Sequence, residues 1–287
     1  MKKTLIFFFS IFSMYLSSTV SADMIDFWDF SVDAKISQYQ LGNGITYTTA
    51  GERRYDNSGN PSTSGNYYSR LTHSDSGSTL FWGEWANNQA ASSGITVEGK
   101  NGVYEINGPA SDAAAFIHTN NAISSLAQTP NFIDISLNFN FTNKEDPSLS
   151  AAGEVVLHMG FFETLNGDPN TESDIFYFLD PFSAYEKIEM NNSDYYLSLF
   201  TTFTALDQDS VYYAMAAERL GISDGTDIWG WITPEGTTHG EGNAFTISFE
   251  IGENPPSVPE PATMLILGLA AAGGLPFALR RRTSKKS

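Results

Sequence analysis

The chain has 287 residues, no cysteine, and 15 Lys and Arg against 33 Asp and Glu, for a formal net charge of -18. The lack of cysteine excludes a disulfide scaffold, a thiolate metal site and a cysteine nucleophile. The acidic balance argues against a nucleic-acid partner, which requires a basic face to neutralise phosphates. With 14% aromatic and only 17% charged residues, the chain is not a disordered acidic tail.

The first 22 residues have the three parts of a secretory signal peptide. Lys2 and Lys3 precede an apolar run at Leu5–Leu16, and small residues follow up to Ala22. The apolar run is too short to span a bilayer. We therefore expect export, with cleavage between Ala22 and Asp23.

The body, residues 23–252, is long enough to be one β-rich domain without disulfides. Apolar and polar residues alternate over Phe132–Phe141 and again over Phe245–Ile251, which predicts strands with one buried face. Many such short runs, separated by turn residues, predict an all-β fold. We expect an antiparallel β-sandwich or jelly-roll-like fold.

Three segments of the body are less clear. Residues 51–79 are rich in Ser, Gly, Asn and Thr, which predicts a long polar loop. Gly99–Gly102 lies between two short strand patterns, which predicts a hairpin. Val211–Leu220 is ambiguous, because its alanines favour helix within a β-rich chain.

The C-terminal region begins with a stiff, proline-rich linker at residues 253–261. Residues 262–279 then carry no charge, and as a helix they would extend about 27 Å, enough to cross the hydrocarbon core. The basic cluster Arg280, Arg281 and Arg282 follows directly, with Lys285 and Lys286 behind it. Such a cluster stays in the cytoplasm, so we expect a transmembrane helix with the body outside.

The motif Pro259, Glu260 and Pro261, the apolar segment and the arginine cluster occur in order, and together they resemble the PEP-CTERM sorting signal at residues 259–287. The resemblance implies that the protein comes from a Gram-negative cell that exports proteins associated with exopolysaccharide. It also implies that exosortase recognises the motif and removes the tail, so that membrane anchoring is transient. The alternative is a plain C-terminal anchor.

Removal of both ends would make the body more acidic still. Loss of two lysines from the leader and five basic residues from the tail leaves 8 positive against 33 negative side chains, a net charge of -25. Such a surface stays soluble, repels anionic lipid and polyanions, and attracts divalent cations.

Six short segments of the body occur in a recognisable order: 80–83, 92–95, 116–123, 162–166, 174–176 and 230–236. Their order over residues 80–250 is similar to that of the THxN family of PEP-CTERM proteins. His118 and Asn120 match the motif that gives the family its name, whereas Ile117 stands where the family has Thr. The resemblance supports export and fold and implies no established activity.

No catalytic residue is predicted. The segment Gly221–Gly225 fits a nucleophile-elbow pattern, but no helix pattern follows it, so a turn is the better interpretation. The four histidines lack the spacing of a helical zinc pair, and a hydrogen bond from the ring of His118 to a turn backbone is the expected structural role. A glycosidase pair could be drawn from four glutamates: Glu84, Glu163, Glu186 and Glu235.

Two kinds of ligand site remain open. Closely spaced loop acids suit a weak extracellular calcium site, although none has the full EF-hand spacing. Trp229 and Trp231 would share one face of a strand and could form a sugar-stacking platform. The calcium candidates are Asp207, Asp209, Asp224 and Asp227.

These features predict an exported protein of the cell surface or extracellular matrix, with a structural or carbohydrate-interacting role and no catalysis. Its expected partners are exosortase, the export machinery, the membrane transiently, and exopolysaccharide. The alternatives are a secreted glycan-processing enzyme and a calcium-dependent adhesin.

Overall fold

The computed structural model describes residues 27–84, 92–121, 123, 128–164, 173–178, 185–190, 193–201, 203–222, 226–234 and 243–255. Several predicted features lie outside the described residues: the signal peptide with its cleavage site Ala22–Asp23, the sorting motif Pro259–Pro261, the predicted span 262–279, the cluster Arg280–Arg282, and Asp224. Within the described ranges, no helix has the length and apolar character needed to cross a membrane.

Strands dominate the described part of the chain. In chain order the strands are β1 (Phe27–Leu41), β2 (Thr46–Tyr47), β3 (Gly51–Tyr55), β4 (Tyr67–His73), β5 (Gly77–Glu84), β6 (Ser92–Gly99), β7 (Asn101–Glu105), β8 (Ser111–Thr119), β9 (Pro130–Asn143), β10 (Ser150–Phe162), β11 (Ser173–Phe178), β12 (Tyr185–Met190), β13 (Ser193–Thr201), β14 (Thr204–Ala205), β15 (Trp229–Pro234) and β16 (Ala244–Gly252). Helix α1 (Val211–Leu220) lies between β14 and β15.

These strands form two antiparallel sheets. Sheet A has the order β14-β15-β11-β10-β9-β1-β2, with β7 also paired to β1. Sheet B has the order β12-β13-β16-β8-β6-β5-β4-β3. The sheets are arranged as a sandwich, which confirms the predicted all-β, antiparallel fold.

The core lies between the sheets and is rich in aromatic rings. On β9 the alternation puts Ile133, Ile135, Leu137, Phe139 and Phe141 inside, as the sequence predicted. The ring of Phe249, on β16 of the opposite sheet, lies 5.3 Å from the ring of Phe139 in an edge-to-face arrangement. Such pairs add to the apolar burial that holds the two sheets together.

The prediction of a long loop over residues 51–79 was wrong, because β3, β4 and the start of β5 lie there. The segment contributes few aliphatic residues, but it buries tyrosines whose hydroxyls are satisfied inside the protein. Ser69 Oγ lies 3.1 Å from the hydroxyl of Tyr39 and 3.1 Å from that of Tyr55. A segment of polar composition can therefore form a strand with a buried face, because its buried hydroxyl groups are hydrogen-bonded in the core.

The predicted hairpin around Gly99–Gly102 was also wrong. Strand β6 pairs with β5 and β8 in sheet B, whereas β7 pairs with β1 in sheet A, so the chain crosses between the sheets at this point. A Cβ on Gly99 would lie 1.8 Å from the carbonyl oxygen of Val32 on β1. Only glycine permits this close approach of the two sheets.

The ambiguous segment 211–220 forms helix α1. Its side chains pack against Ile175 and Tyr177, which forms a second, smaller core on the outer face of β11. Ser210 caps the helix by accepting a hydrogen bond from the backbone N–H of Tyr213, and Gly221 ends it in the left-handed region at φ 64°.

Candidate functional site

His118 and Asn120 lie in a fully buried polar network between the two sheets. His118 ends an inward-facing row of β8 in sheet B, and its Nδ1 lies 2.9 Å from Thr233 Oγ1 on β15 of sheet A. Asn120 donates from Nδ2 to the Thr233 carbonyl at 2.8 Å. The ring of His118 thus contacts a side chain across the core, rather than the turn backbone that we expected.

A second contact joins this network to β11. The hydroxyl of Thr233 donates to the carbonyl oxygen of Asp174 at 3.3 Å, and Thr233 Oγ1 lies 2.9 Å from His118 Nδ1. His118 Nε2 lies 3.7 Å from Asp174 Oδ2, beyond hydrogen-bond distance.

Burial governs the charge of His118. The side chain is completely inaccessible, and desolvation lowers its pKa to about 3. Aromatic rings surround it: Phe176 lies edge-on at 4.8 Å and Trp82 is stacked at 6.0 Å. The imidazole is therefore neutral at physiological pH and acts as a hydrogen-bonding part of the core.

All six segments that carried the THxN resemblance contribute to this end of the sandwich. Trp82 donates from Nε1 to Glu163 Oε2 at 2.9 Å, and the backbone N–H of Thr164 donates to Asp174 Oδ1 at 3.1 Å. Asn121 donates from Nδ2 to the Ser92 carbonyl at 2.8 Å. Motif residues that are far apart in sequence therefore form a set of hydrogen bonds at this end of the sandwich, some of which connect the two sheets.

The two tryptophans proposed as a sugar platform differ in exposure. Trp229 is 37% exposed, whereas Trp231 is partly buried, with its ring stacked on Phe176 at 5.3 Å and edge to face with Phe245 at 4.6 Å. Trp231 thus packs against the core. Sugar stacking stays a prediction, and of the two rings the exposed ring of Trp229 is the one available for it.

Three of the four calcium candidates, Asp207, Asp209 and Asp227, lie in the described part of the chain. Asp207 Oδ1 accepts from the backbone N–H of Asp209 at 3.1 Å, and the Asp207 carbonyl accepts from Ser210, so these acids shape the turn before α1. Asp227 is exposed, and Asp224 lies outside the described residues. No three acidic or histidine side chains of the described ranges converge on a metal position, and calcium binding stays a prediction.

The glutamates considered as a glycosidase pair differ in their surroundings. Glu163 is hydrogen-bonded to Trp82, Glu186 is exposed on edge strand β12, and Glu235 lies outside the described residues. The prediction of a protein without catalytic residues therefore stays a prediction.

A surface that the sequence did not single out lies on the outer face of sheet B. Strands β12 and β13 place three rings there, with Tyr185 43% exposed, Phe200 42% exposed and Tyr196 between them in sequence. The rings of Tyr185 and Tyr196 meet edge to face at 5.6 Å. We call Tyr185, Tyr196 and Phe200 the aromatic surface.

The aromatic surface follows from strand alternation. Leu197 and Leu199 point into the core and are buried, so Tyr196 and Phe200 must face outward. Tyr185 pairs with Ser198, which lies between Tyr196 and Phe200 on the same face. Strand alternation within β13 would have indicated that Tyr196 and Phe200 share a face, but one sequence does not reveal that β12 adds a third ring.

A polar cleft of about 480 Å³ adjoins the aromatic surface. Ser198, Phe200 and Glu250 form its floor, and the loop at Asn107 forms one wall together with Asn254. Asn107 adopts φ 59°, a left-handed conformation that asparagine tolerates better than most residues. The cleft combines amide, hydroxyl and carboxylate groups with an apolar ring.

The comparisons with known proteins bear on the C-terminal end of the chain. The family model for the PEP-CTERM protein-sorting motif matches residues 257–282, where the sequence predicted the motif Pro259–Pro261 and the basic cluster. No curated protein matches the chain. The match does not reach the body, so the THxN resemblance stays a prediction. The chain thus carries the PEP-CTERM sorting motif, which marks it as an exported protein sorted through exosortase and held in the membrane only transiently.

Proposed function

We propose that this exported protein is a non-catalytic, polysaccharide-binding component of the cell surface or extracellular matrix. The observation that carries the proposal is the aromatic surface beside a polar cleft on the outer face of sheet B. Exosortase is its processing partner, and exopolysaccharide is its proposed ligand.

The chemistry of the aromatic surface suits a sugar. Exposed rings of Tyr185 and Phe200 offer flat apolar faces, on which the C–H side of a pyranose ring can pack. Ser198, Glu250 and Asn107 supply hydroxyl, carboxylate and amide groups within reach of sugar hydroxyls. Apolar rings rimmed by hydrogen-bonding groups are the combination that sugars require.

Charge narrows the class of sugar. The processed body would have a net charge of -25, which repels polyanionic glycans. Lys187, next to the aromatic surface, is already engaged by Asp194 at 2.7 Å, and this contact raises the lysine pKa. Glu250 adds a further negative charge, so a neutral polysaccharide is the proposed ligand.

The aromatic surface also has a favourable position for a protein delivered by a C-terminal tail. Strand β16 borders the cleft and ends at Gly252, just before the proline-rich linker. Strand β16 is therefore the last secondary-structure element before the segment that sorting acts upon. The cleft beside the aromatic surface is therefore lined partly by Gly252 and Asn254, the residues that lead into the linker.

The experiment is affinity electrophoresis of the secreted, processed protein in gels that contain a neutral β-1,4-glucan, a galactomannan or dextran, with alginate as a polyanionic contrast. We expect retardation by a neutral polysaccharide and none by alginate. The double variant Tyr185→Ala/Phe200→Ala should bind at least about tenfold more weakly, a loss of about 1.4 kcal/mol. Phe27→Ala is the matched control, because Phe27 is a 40% exposed ring on sheet A.

Two results would count against the proposal. Absence of retardation by all neutral polysaccharides would remove the sugar-binding role. Equal weakening by Phe27→Ala would show nonspecific adhesion. Cleavage of the bound polysaccharide would instead favour the alternative of a glycan-processing enzyme, and a melting temperature lowered by chelator would favour a calcium-dependent adhesin.

A further inference from the structure

The outer face of sheet A carries a polar pocket on the side of the sandwich opposite the aromatic surface. Gln38, Asp134 and His158 lie in one row across β1, β9 and β10. With Gln40, Thr46 and Phe132 they line a pocket of about 220 Å³. We call these six residues the polar pocket.

A bulge in β1 creates the polar pocket. Up to Ile36 the even-numbered residues of β1 face the core, but after the register shift between Ile36 and Gln38 the odd-numbered residues Tyr39 and Leu41 are the buried ones. The shift brings Gln38 and Gln40 to the outer face. An extra residue that re-aims side chains in this way is common beside binding sites.

Asp134 organises the row. Its side chain accepts from His158 Nδ1 at 2.9 Å through Oδ1, and from Gln38 Nε2 through Oδ2. Because Asp134 engages Nδ1, the other ring nitrogen, Nε2, is left to hydrogen-bond with a ligand. The His158 side chain is 51% exposed and that of Asp134 only 11%, so the carboxylate holds the imidazole while the ring reaches solvent.

The rest of the polar pocket adds an apolar patch and further polar groups. Half-buried Phe132 lies beside Asp134 on the outer face of β9, and Gln40 donates to Thr46 Oγ1 at 3.4 Å. A volume of about 220 Å³ is below the roughly 300–1,000 Å³ typical of drug-sized ligands, so it suits a single ring of a longer chain.

Nearby charges favour a neutral ligand here as well. In the adjoining rows of the same face, Asp33 is paired with Lys35 at 2.6 Å, and Glu154 is exposed without a basic residue opposite it on β9. Asp134 itself is acidic. Hydroxyl groups, which both donate and accept, match the imidazole Nε2 of His158 and the two amides in either role, beside a carboxylate that repels an anion.

We propose that the polar pocket is a second site for neutral polysaccharide, so that one molecule binds chains on both faces of the sandwich and cross-links them. This inference rests on the proposed function of the aromatic surface. Two sites on opposite outer faces, separated by both sheets and the core, cannot be filled by adjacent units of one straight chain. One protein molecule would therefore join separate polysaccharide chains, which raises its avidity for a polysaccharide network.

The test measures binding and cross-linking separately on the secreted, processed protein. Turbidity and light scattering of mixtures with the neutral polysaccharide that it binds report cross-linking, and affinity electrophoresis reports binding. The pocket variant is His158→Ala/Gln40→Ala, in which both replaced side chains are on the surface. The face variant is Tyr185→Ala/Phe200→Ala.

We expect the wild type to give turbidity that rises and then falls as the protein-to-glycan ratio increases. Each variant should keep measurable binding and lose the turbidity. The pocket variant should bind about two- to tenfold more weakly, and the face variant about tenfold or more, as above. If the pocket variant cross-links like the wild type, or the face variant abolishes all binding, the second site is refuted while the proposed function stands. If the wild type binds no neutral polysaccharide, both proposals fall together.

Discussion

Acidification is expected to destabilise the folded domain through His118. The pKa of this fully buried side chain is about 3 in the folded protein, against 6.5 for an unperturbed histidine. Below pH 6.5 the unfolded chain therefore binds a proton that the native state does not. The contribution of the neutral His118 to the free energy of unfolding is therefore fully present above pH 6.5 and is lost as the pH falls toward 3. At pH 4.5 the loss is about 3 kcal/mol, from roughly 1.4 kcal/mol per pH unit.

The assay is urea unfolding of the wild type and of His118→Gln between pH 7.5 and pH 4.5. Glutamine keeps a donor toward Thr233 Oγ1 but does not titrate, so the variant lacks this proton uptake. The stability advantage of the wild type should shrink by about 3 kcal/mol across the range.

Parallel pH profiles for the two proteins would refute the reasoning. They would mean that Asp174, whose Oδ2 lies 3.7 Å from Nε2, keeps the ring protonated in the folded state. The variant Asp174→Asn, made with and without His118→Gln, separates these cases, because both proteins lack the titration of Asp174 itself. If desolvation controls the histidine, the difference in pH slope between these two proteins should match the difference between the wild type and His118→Gln.

Three further substitutions test the packing account by urea unfolding. Ser69→Ala should cost about 2 kcal/mol, because two buried tyrosine hydroxyls lose the group they share, and an unchanged midpoint would contradict this. Ser210→Ala should cost about 1 kcal/mol through loss of the α1 cap, and Ser210→Asp should restore most of it. Gly160→Ala should cost about 3 kcal/mol, because its Cβ would lie 2.2 Å from the ring of Tyr177, and wild-type stability would show that the ring moves freely.

Strict alternation made the central strands predictable. The runs at Phe132–Phe141 and Phe245–Ile251 each have one apolar face, and they became β9 and β16 with those faces in the core. The helix at Val211–Leu220 could not be decided by propensity alone. It forms because its buried residues, including Tyr213 and Ala216, cover the outer face of β11, which is a tertiary contact.

The failures have a common physical cause. Residues 51–79 are rich in Ser, Gly, Asn and Thr, a composition typical of loops, yet Ser69 and Tyr55 satisfy one another inside the protein. The crossing at Gly99 has the composition of a turn, and the distant strands with which its two sides pair are not visible in one sequence. The aromatic surface and the polar pocket escaped detection for the same reason, since each draws residues from separate strands.

The measurement that tests the central claim most directly is the intact mass of the protein from cells with and without exosortase. With exosortase, the secreted form should begin at Asp23 and lack the tail that follows Pro259–Pro261, which lies within the matched residues 257–282. Without exosortase, the form that retains its C-terminal tail should stay in the membrane fraction. Recovery of the unprocessed, full-length chain dissolved in the cytosol of both strains would contradict export and sorting, and with them the proposed role outside the cell.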